Sequence, residues 1–155
     1  VIRVMPNTPA QIGSGVSVWT ATPQVTNSAL EEAREIIGSF GEEIYVDDEK
    51  MIDMATALSG CGPGYVFLFI EALIDAGVNI GLSRDLSRTL VLQTVLGSAK
   101  LVRESGSHPA QLKDLVTSPA GATIAGVLAL EQAGFRGTVI NAVNLAYRKT
   151  KLLGD

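Results

Sequence analysis

The chain has 155 residues, of which 46% are hydrophobic and 18% charged, and this balance excludes a disordered protein. Its net charge of -4 and its lack of a Lys/Arg cluster argue against a sequence-independent nucleic-acid surface. A single cysteine excludes an internal disulfide framework and suits a reducing compartment. The longest apolar run, residues 65–70, is far shorter than the roughly 20 residues of a membrane span. We therefore expect a soluble, cytoplasmic protein.

The first 46 residues have an α/β pattern. Runs rich in β-branched residues predict strands at residues 1–5, 15–20 and 43–46. After a cap at Thr26 or Asn27, apolar residues at helical spacing predict a helix that ends at Gly38. Because the chain opens on Val-Ile-Arg-Val rather than Met, we expect a truncated α/β domain over residues 1–46.

From residue 47 onward the pattern is helical. Helical periods cover residues 49–58, 63–78, 84–104, 109–116, 123–133 and 138–153. Breaks rich in Gly, Pro and Ser separate them, including one over residues 134–137. The expected fold is mainly α, with an all-helical domain over residues 47–155 that follows the last strands and helix of an α/β domain.

Two of the predicted helices are apolar nearly all round. Residues 65–70 and 89–92 offer almost no polar face to water. In so small a domain, such helices must be central or covered by another chain. We expect a dimer that buries these helices, including Phe67.

Few side chains support hydrolytic or metal chemistry. The only histidine, His108, precedes Pro109 at a turn, where a helix-start role is favoured over catalysis. With one His and one Cys, zinc has no ordinary ligand set, and we expect no metal site. Four carboxylates at a predicted helix start are interpreted as partners of the helix dipole rather than as a cation site: Asp47, Asp48, Glu49 and Asp53.

Two glycine-rich breaks remain. Residues 59–64 lack the Gly-Lys-Ser/Thr ending of a P-loop and are interpreted as a tight corner between helices. Residues 118–123 suit an ordinary turn with Thr123 as a cap. They equally suit a carboxylate site, in which free N–H groups at a helix start lie beside a hydroxyl.

Three motifs occur in chain order: Met5-Pro6-Asn7-Thr8-Pro9, Leu58-Ser59-Gly60-x-Gly62-Pro63-x-Tyr65, and Lys113-Asp114-x-Val116-Thr117-Ser118-Pro119-x-Gly121-x-Thr123. Together they resemble the pyrroline-5-carboxylate reductase family over essentially the whole chain. That family reduces the imine 1-pyrroline-5-carboxylate to L-proline with NADPH or NADH, using an amino-terminal Rossmann domain and a carboxy-terminal helical dimerisation domain. The resemblance implies that residues 1–46 end the Rossmann domain and that residues 47–155 form the dimerisation and substrate-binding domain.

The resemblance also implies substrate-binding residues. Backbone N–H groups of Gly121, Ala122 and Thr123 would hold the imine carboxylate. The Thr123 hydroxyl would lie near the ring nitrogen as hydrogen-bond partner and proton donor, which makes it the implied catalytic group. Glu49 would lie near the amine.

For the cofactor, the resemblance implies Asn7 beside the nicotinamide and Ser118 near the dinucleotide. The sequence contains no Gly-x-Gly-x-x-Gly after a strand, so the chain alone is not expected to catalyse the reduction. The family pattern further implies a homodimer, or a higher oligomer of dimers, without nucleic-acid or membrane partners.

The sequence departs from the family pattern at three positions. Ala120 replaces a usual Gly and excludes some positive-φ geometries, Leu115 replaces a common polar residue, and Cys61 replaces a small one. Two alternatives stay open: a non-catalytic helical dimerisation or interaction module, and a helical domain of another dehydrogenase superfamily.

Overall fold

The computed structural model describes residues 1–154 and divides the chain into two compact units. The first unit comprises Val1–Val66 together with the residues from Ile140 onward. The second comprises Phe67–Val139.

The first unit contains a three-stranded sheet of β1 (Ile2–Met5), β2 (Gly15–Ala21) and β3 (Gly41–Tyr45), in the order β1-β2-β3. β1 and β2 are antiparallel, whereas β2 and β3 are parallel. A parallel pair needs a crossover connection, which the helix α1 (Asn27–Gly38) supplies. The predicted strands and helix of the α/β segment are thus confirmed.

A short 3₁₀-helix, Thr8–Ile12, follows β1 and was not predicted. Its first turn contains Pro9, and it ends at Gly13, whose φ of 68° lies in the left-handed region. A helix of five residues is too short to produce a periodic pattern in the sequence.

The core of the first unit lies against β2. Trp19 is fully buried, and its Nε1 donates a 2.6 Å hydrogen bond to Oε2 of Glu43. The Tyr45 ring packs edge-on against the Trp19 ring, with 4.9 Å between centroids. Val18 and Ile52 are buried in a neighbouring cluster. These contacts fix the sheet on which β1 and its following loop are built.

The rest of the chain is helical, as predicted. The elements are α2 (Lys50–Ala55), a π-helical turn (Thr56–Gly60), α3 (Gly62–Asn79), α4 (Arg84–Ser105), α5 (Pro109–Leu115), α6 (Ala122–Gln132) and α7 (Phe135–Gly154).

Two helix boundaries differ from the prediction. The predicted helix over residues 49–58 ends in the π-helical turn. The predicted break over residues 134–137 is present but shorter, because α6 ends at Gln132, Gly134 adopts a positive φ and α7 already begins at Phe135. Gly137 therefore lies inside α7, where a single glycine costs only about 1 kcal/mol relative to alanine.

The second unit leaves its apolar side chains uncovered. Within residues 67–139, none of the described large hydrophobic side chains is buried. Phe67 is 56% exposed and Leu68 is 68% exposed. A single copy of these helices therefore lacks a core of its own, which is the expected state of helices that another surface covers.

The helical stretch Lys50–Asn79 is long and apolar enough, by length and composition alone, to cross a membrane. It is longer than the six-residue run apparent in the sequence, because the π-helical turn links α2 closely to α3. The core helix of a soluble protein can have the same length and apolar composition, so one such stretch is weak evidence that the chain crosses a membrane.

Candidate functional site

The start of α6 presents unpaired hydrogen-bond donors. Gly121 is the N-cap, with φ -77° and ψ 167°, and no side chain caps the helix. Among the described residues, none accepts a hydrogen bond from the N–H groups of Ala122 or Thr123, or from the Thr123 hydroxyl. The Gly121 N–H donates to the Ser118 carbonyl at 3.0 Å. Of the three predicted amides, two are therefore open and one already closes the turn.

Ser118 lies directly over Gly121. A Cβ added at Gly121 would overlap Ser118 Oγ and lie 3.1 Å from the Ser118 carbonyl oxygen. A side chain at position 121 would therefore displace the Ser118 hydroxyl from the helix start. That hydroxyl is exposed and has no hydrogen-bond partner within residues 1–154. Ser118, Ala122 and Thr123 thus form one cluster of open donors at a positive helix terminus, and Gly121 closes the turn between them.

Ala120 adopts a left-handed conformation in this turn. Its φ of 56° makes it the only non-glycine residue with positive φ in the described chain. The methyl group was expected to exclude some positive-φ geometries, yet the turn retains the left-handed form. That conformation costs an L-residue roughly 1–2 kcal/mol, so the turn is strained here.

The helix before the turn is capped by His108. His108 Nδ1 accepts from the Ala110 N–H at 3.2 Å, and the His108 N–H donates to Oε1 of Gln111 at 3.1 Å. This reciprocal pair is a capping box, so the predicted helix-start role is confirmed. Leu115, at the end of α5, is 81% exposed and has no polar atom on its side chain.

Asn7 connects the loop after β1 to β2. Its Oδ1 accepts a 2.9 Å hydrogen bond from the Val16 N–H, and its backbone carbonyl accepts from Ala10. The Val16 bond fixes the orientation of the amide, because only the oxygen can accept. Within the described chain, the Asn7 Nδ2 group has no acceptor, so it is available to a ligand.

Glu49 is paired with a residue that the sequence analysis did not single out. Arg3 donates to Glu49 Oε1 at 3.1 Å and to Asp53 Oδ1 at 2.8 Å. The hydrogen bond to Asp53, followed by that to Glu49, raises the pKa of Arg3. Glu49 is exposed, and its contact with Arg3 joins residues 46 positions apart, which no local pattern signals. A cavity of about 230 Å³ is lined in part by Arg3 and Glu49.

Asp48 and Asp53 lie at the start of α2. Asp48 Oδ1 accepts from the Lys50 N–H at 2.9 Å, and Asp53 lies in the first turn of α2. The interpretation of this patch as helix-start carboxylates is confirmed for Asp48, whereas the Asp53 carboxylate pairs with Arg3.

The predicted site residues fall into two groups. Ser118, Gly121, Ala122 and Thr123 share one turn of the second unit, whereas Asn7 and Glu49 belong to the first unit. No described contact joins Asn7 to Glu49.

Comparison with known proteins points to one family. A family model for pyrroline-5-carboxylate reductase dimerisation matches residues 49–153. The pyrroline-5-carboxylate reductase of Synechocystis sp. is 49% identical over 154 residues, covering 99% of this chain and 57% of that protein. The Pisum sativum enzyme of the same name is 51% identical over 152 residues, covering 98% of this chain and 55% of that protein.

A solved structure agrees. The crystal structure of Plasmodium falciparum pyrroline carboxylate reductase with NADP bound superposes with a TM-score of 0.95 at 46% identity. The match covers 99% of this chain and 63% of that one. The chain thus spans little more than half the length of the curated relatives it matches.

Proposed function

This chain belongs to the pyrroline-5-carboxylate reductase family, and we propose that it is the carboxy-terminal part of an enzyme that reduces 1-pyrroline-5-carboxylate to L-proline with NADPH or NADH in the cytoplasm. Residues 1–46 would complete the dinucleotide-binding domain, and residues 47–155 would form the dimerisation and substrate-binding domain. The observation that carries the proposal is the set of open donors at the start of α6 in a chain of this family.

The substrate carboxylate is assigned to the start of α6. The N–H groups of Ala122 and Thr123 have no partner among the described residues, and the helix terminus adds partial positive charge. Gly121 contributes in two ways, because its N–H closes the turn and its missing side chain leaves room for Ser118. An added Cβ would disturb this arrangement.

The Thr123 hydroxyl is assigned as the hydrogen-bond donor to the imine nitrogen of the substrate. This hydroxyl is exposed and unpaired within the described chain, so it can donate to a ring nitrogen whose carboxylate is bound at the same helix turn. Glu49 is proposed to face the amine. Its Oε1 is bonded to Arg3, so its second oxygen is the one available.

The residues proposed for the dinucleotide fit polar groups of a nicotinamide cofactor. The Asn7 Nδ2 donor and the Ser118 hydroxyl are both available, and the Val16 bond holds Asn7 in one orientation. When bound, the dinucleotide supplies the hydride that the imine carbon receives. Asn7 and Ser118 would hold and orient it, and the part of the relatives that this chain does not cover would supply the remaining contacts.

We also propose a homodimer, or an oligomer built from such dimers, formed through the uncovered helices. The support is the match to a dimerisation family and the absence of buried large hydrophobic side chains in the described residues 67–139. A partner copy would supply the core that one copy lacks.

The test uses the full-length gene product. With 1-pyrroline-5-carboxylate, it should oxidise NADPH or NADH, and Thr123→Ala should lower turnover by roughly 100-fold or more. Thr123→Ser keeps the hydroxyl and should retain most of the activity. A matched control is Thr138→Ala, since Thr138 only donates to the Gly134 carbonyl within its helix.

Two results would contradict the proposal. A full-length protein that oxidises neither cofactor in the presence of the imine would overturn the function. A Thr123→Ala variant with wild-type turnover would remove Thr123 from the mechanism.

A further inference from the structure

In the π-helical turn Thr56–Gly60, the buried Ala57 carbonyl accepts a hydrogen bond from the Tyr65 hydroxyl. The Cys61 N–H donates to the Thr56 carbonyl at 2.8 Å, rather than to the Ala57 carbonyl as in an α-helix. Ala57 is fully buried, so its carbonyl needs another partner. The Tyr65 hydroxyl supplies it, at 3.3 Å. Such turns are rare and recur at functional sites.

Two further hydroxyls support the wide turn. Thr56 Oγ1 donates to the Ile52 carbonyl at 2.7 Å, and Ser59 Oγ donates to the Ala55 carbonyl at 2.9 Å. Both bonds reach one turn back, into α2. The bond from Tyr65 differs because it comes from α3 and crosses the turn.

The turn packs against the end of β1. A Cβ added at Gly60 would lie 2.8 Å from Met5 Cε, so the glycine backbone is in close contact with the Met5 side chain. Met5 is partly buried against the cluster of Val18 and Ile52. Asn7 follows two residues later, in a loop anchored to β2. The π-helical turn therefore contacts the segment before the Asn7 loop through the flexible end of the Met5 side chain.

We propose that Tyr65 is a positioning residue for the dinucleotide. By holding the Ala57 carbonyl, it keeps the π-helical turn wide and Gly60 against Met5, and so it sets the loop that carries Asn7. This inference rests on the proposed function, since the role of Asn7 is part of that proposal.

Removal of the Tyr65 hydroxyl would favour a change of helical winding. The Ala57 carbonyl would be buried without a partner, which is costly, unless the Cys61 N–H shifted to it. That shift would restore α-helical winding, in which each residue turns by about 100°. Gly60 would then lose its contact with Met5, and the Asn7 loop would lose its support.

The experiment compares Tyr65→Phe with wild type in the full-length protein. Fluorescence titration should show an NADPH Kd raised about fivefold, the change that corresponds to one net hydrogen bond. KM for NADPH should rise in parallel, while kcat and KM for the imine stay within about twofold and the oligomer is unchanged. The control is Tyr147→Phe, since Tyr147 interacts through its ring face with Lys151.

A second variant tests the same contact without the hydroxyl. Gly60→Ala should also raise the NADPH Kd, because its Cβ displaces Met5. Gly38→Ala is its matched control, because a Cβ there meets nothing within 4 Å. If Tyr65→Phe does not fold, Gly60→Ala decides the outcome.

Four results would overturn the inference. A folded Tyr65→Phe protein with wild-type NADPH Kd, or one in which kcat and both KM values worsen together, would remove the positioning role alone. So would a Gly60→Ala variant that binds NADPH like wild type. A wild-type protein that binds neither NADPH nor NADH would overturn this inference together with the proposed function.

Discussion

Ala120 carries the clearest residue-scale strain. Its φ of 56° is typical of glycine, and roughly 1–2 kcal/mol is the cost for an alanine. Ala120→Gly removes this cost, but glycine adds about 0.4–1 kcal/mol of conformational entropy to the unfolded state, so we expect a net stabilisation of up to about 1.6 kcal/mol. The free energy of unfolding in urea, measured on the full-length protein, checks this.

A glycine placed in ordinary helix provides the control for Ala120→Gly. Ala129 lies inside α6, where Ala129→Gly should destabilise by about 0.5–1 kcal/mol. If both substitutions destabilise to the same degree, the turn does not hold Ala120 under strain.

Tyr65 gives a residue-scale pH prediction. Burial, with a further contribution from Cys61, raises the pKa of the Tyr65 phenol above its ordinary value near 10. Because the folded state favours the neutral phenol, this contribution to stability is complete below the unfolded pKa. It is lost as pH rises through the folded pKa.

Absorbance at 295 nm measures this titration directly. The difference between wild type and Tyr65→Phe should be one phenol that ionises above the ordinary tyrosine range. A difference titration centred at or below pH 10 would contradict the raised pKa.

The sequence predicts those residue roles that depend only on neighbouring positions in the chain. The helix-start role of His108 and the break before Ala122 follow from neighbouring residues, and the structure contains both. The Arg3 contacts with Glu49 and Asp53 depend on how β1 meets α2, which is a property of the fold rather than of any local pattern.

At the scale of elements, each predicted helix and strand is present. A long periodic segment indicates clearly whether it forms a helix or a strand. The π-helical turn was not predicted, since a change of backbone hydrogen bonding over five residues leaves no periodic signal in the sequence. The start of α7 was misplaced because Gly134 and Gly137 look alike in sequence, although only Gly134 adopts a positive φ.

The capping box of α5 gives an element-scale prediction. His108→Ala removes the acceptor for the Ala110 N–H and should lower the free energy of unfolding by about 1 kcal/mol. His108→Asn restores a short side-chain acceptor and should recover most of that loss. Urea unfolding of the three proteins checks this, and equal loss in both variants would show that the cap contributes little.

At the scale of the whole molecule, the uncovered apolar helices predict the assembly. Phe67→Asp places a charge where we propose that a partner copy packs, and an unpaired buried charge is strongly destabilising. We expect the variant to sediment as a monomer or to aggregate. Ile80→Asp is the control, since Ile80 is exposed in the connection between α3 and α4.

Sedimentation velocity of the full-length protein distinguishes the outcomes. A Phe67→Asp dimer as stable as wild type would refute the interface. Recovery of the wild-type protein only in detergent-extracted membranes would instead assign the stretch Lys50–Asn79 to a bilayer.

The proposed reduction depends on carboxylate binding at the start of α6. The most direct test is the ratio of kcat/KM for 1-pyrroline-5-carboxylate to that for 1-pyrroline, which lacks the carboxylate, in the full-length enzyme. Two hydrogen bonds to a charged group, from Ala122 and Thr123, predict a ratio of about 100 or more. A ratio near one would contradict the assignment of that helix start to the substrate.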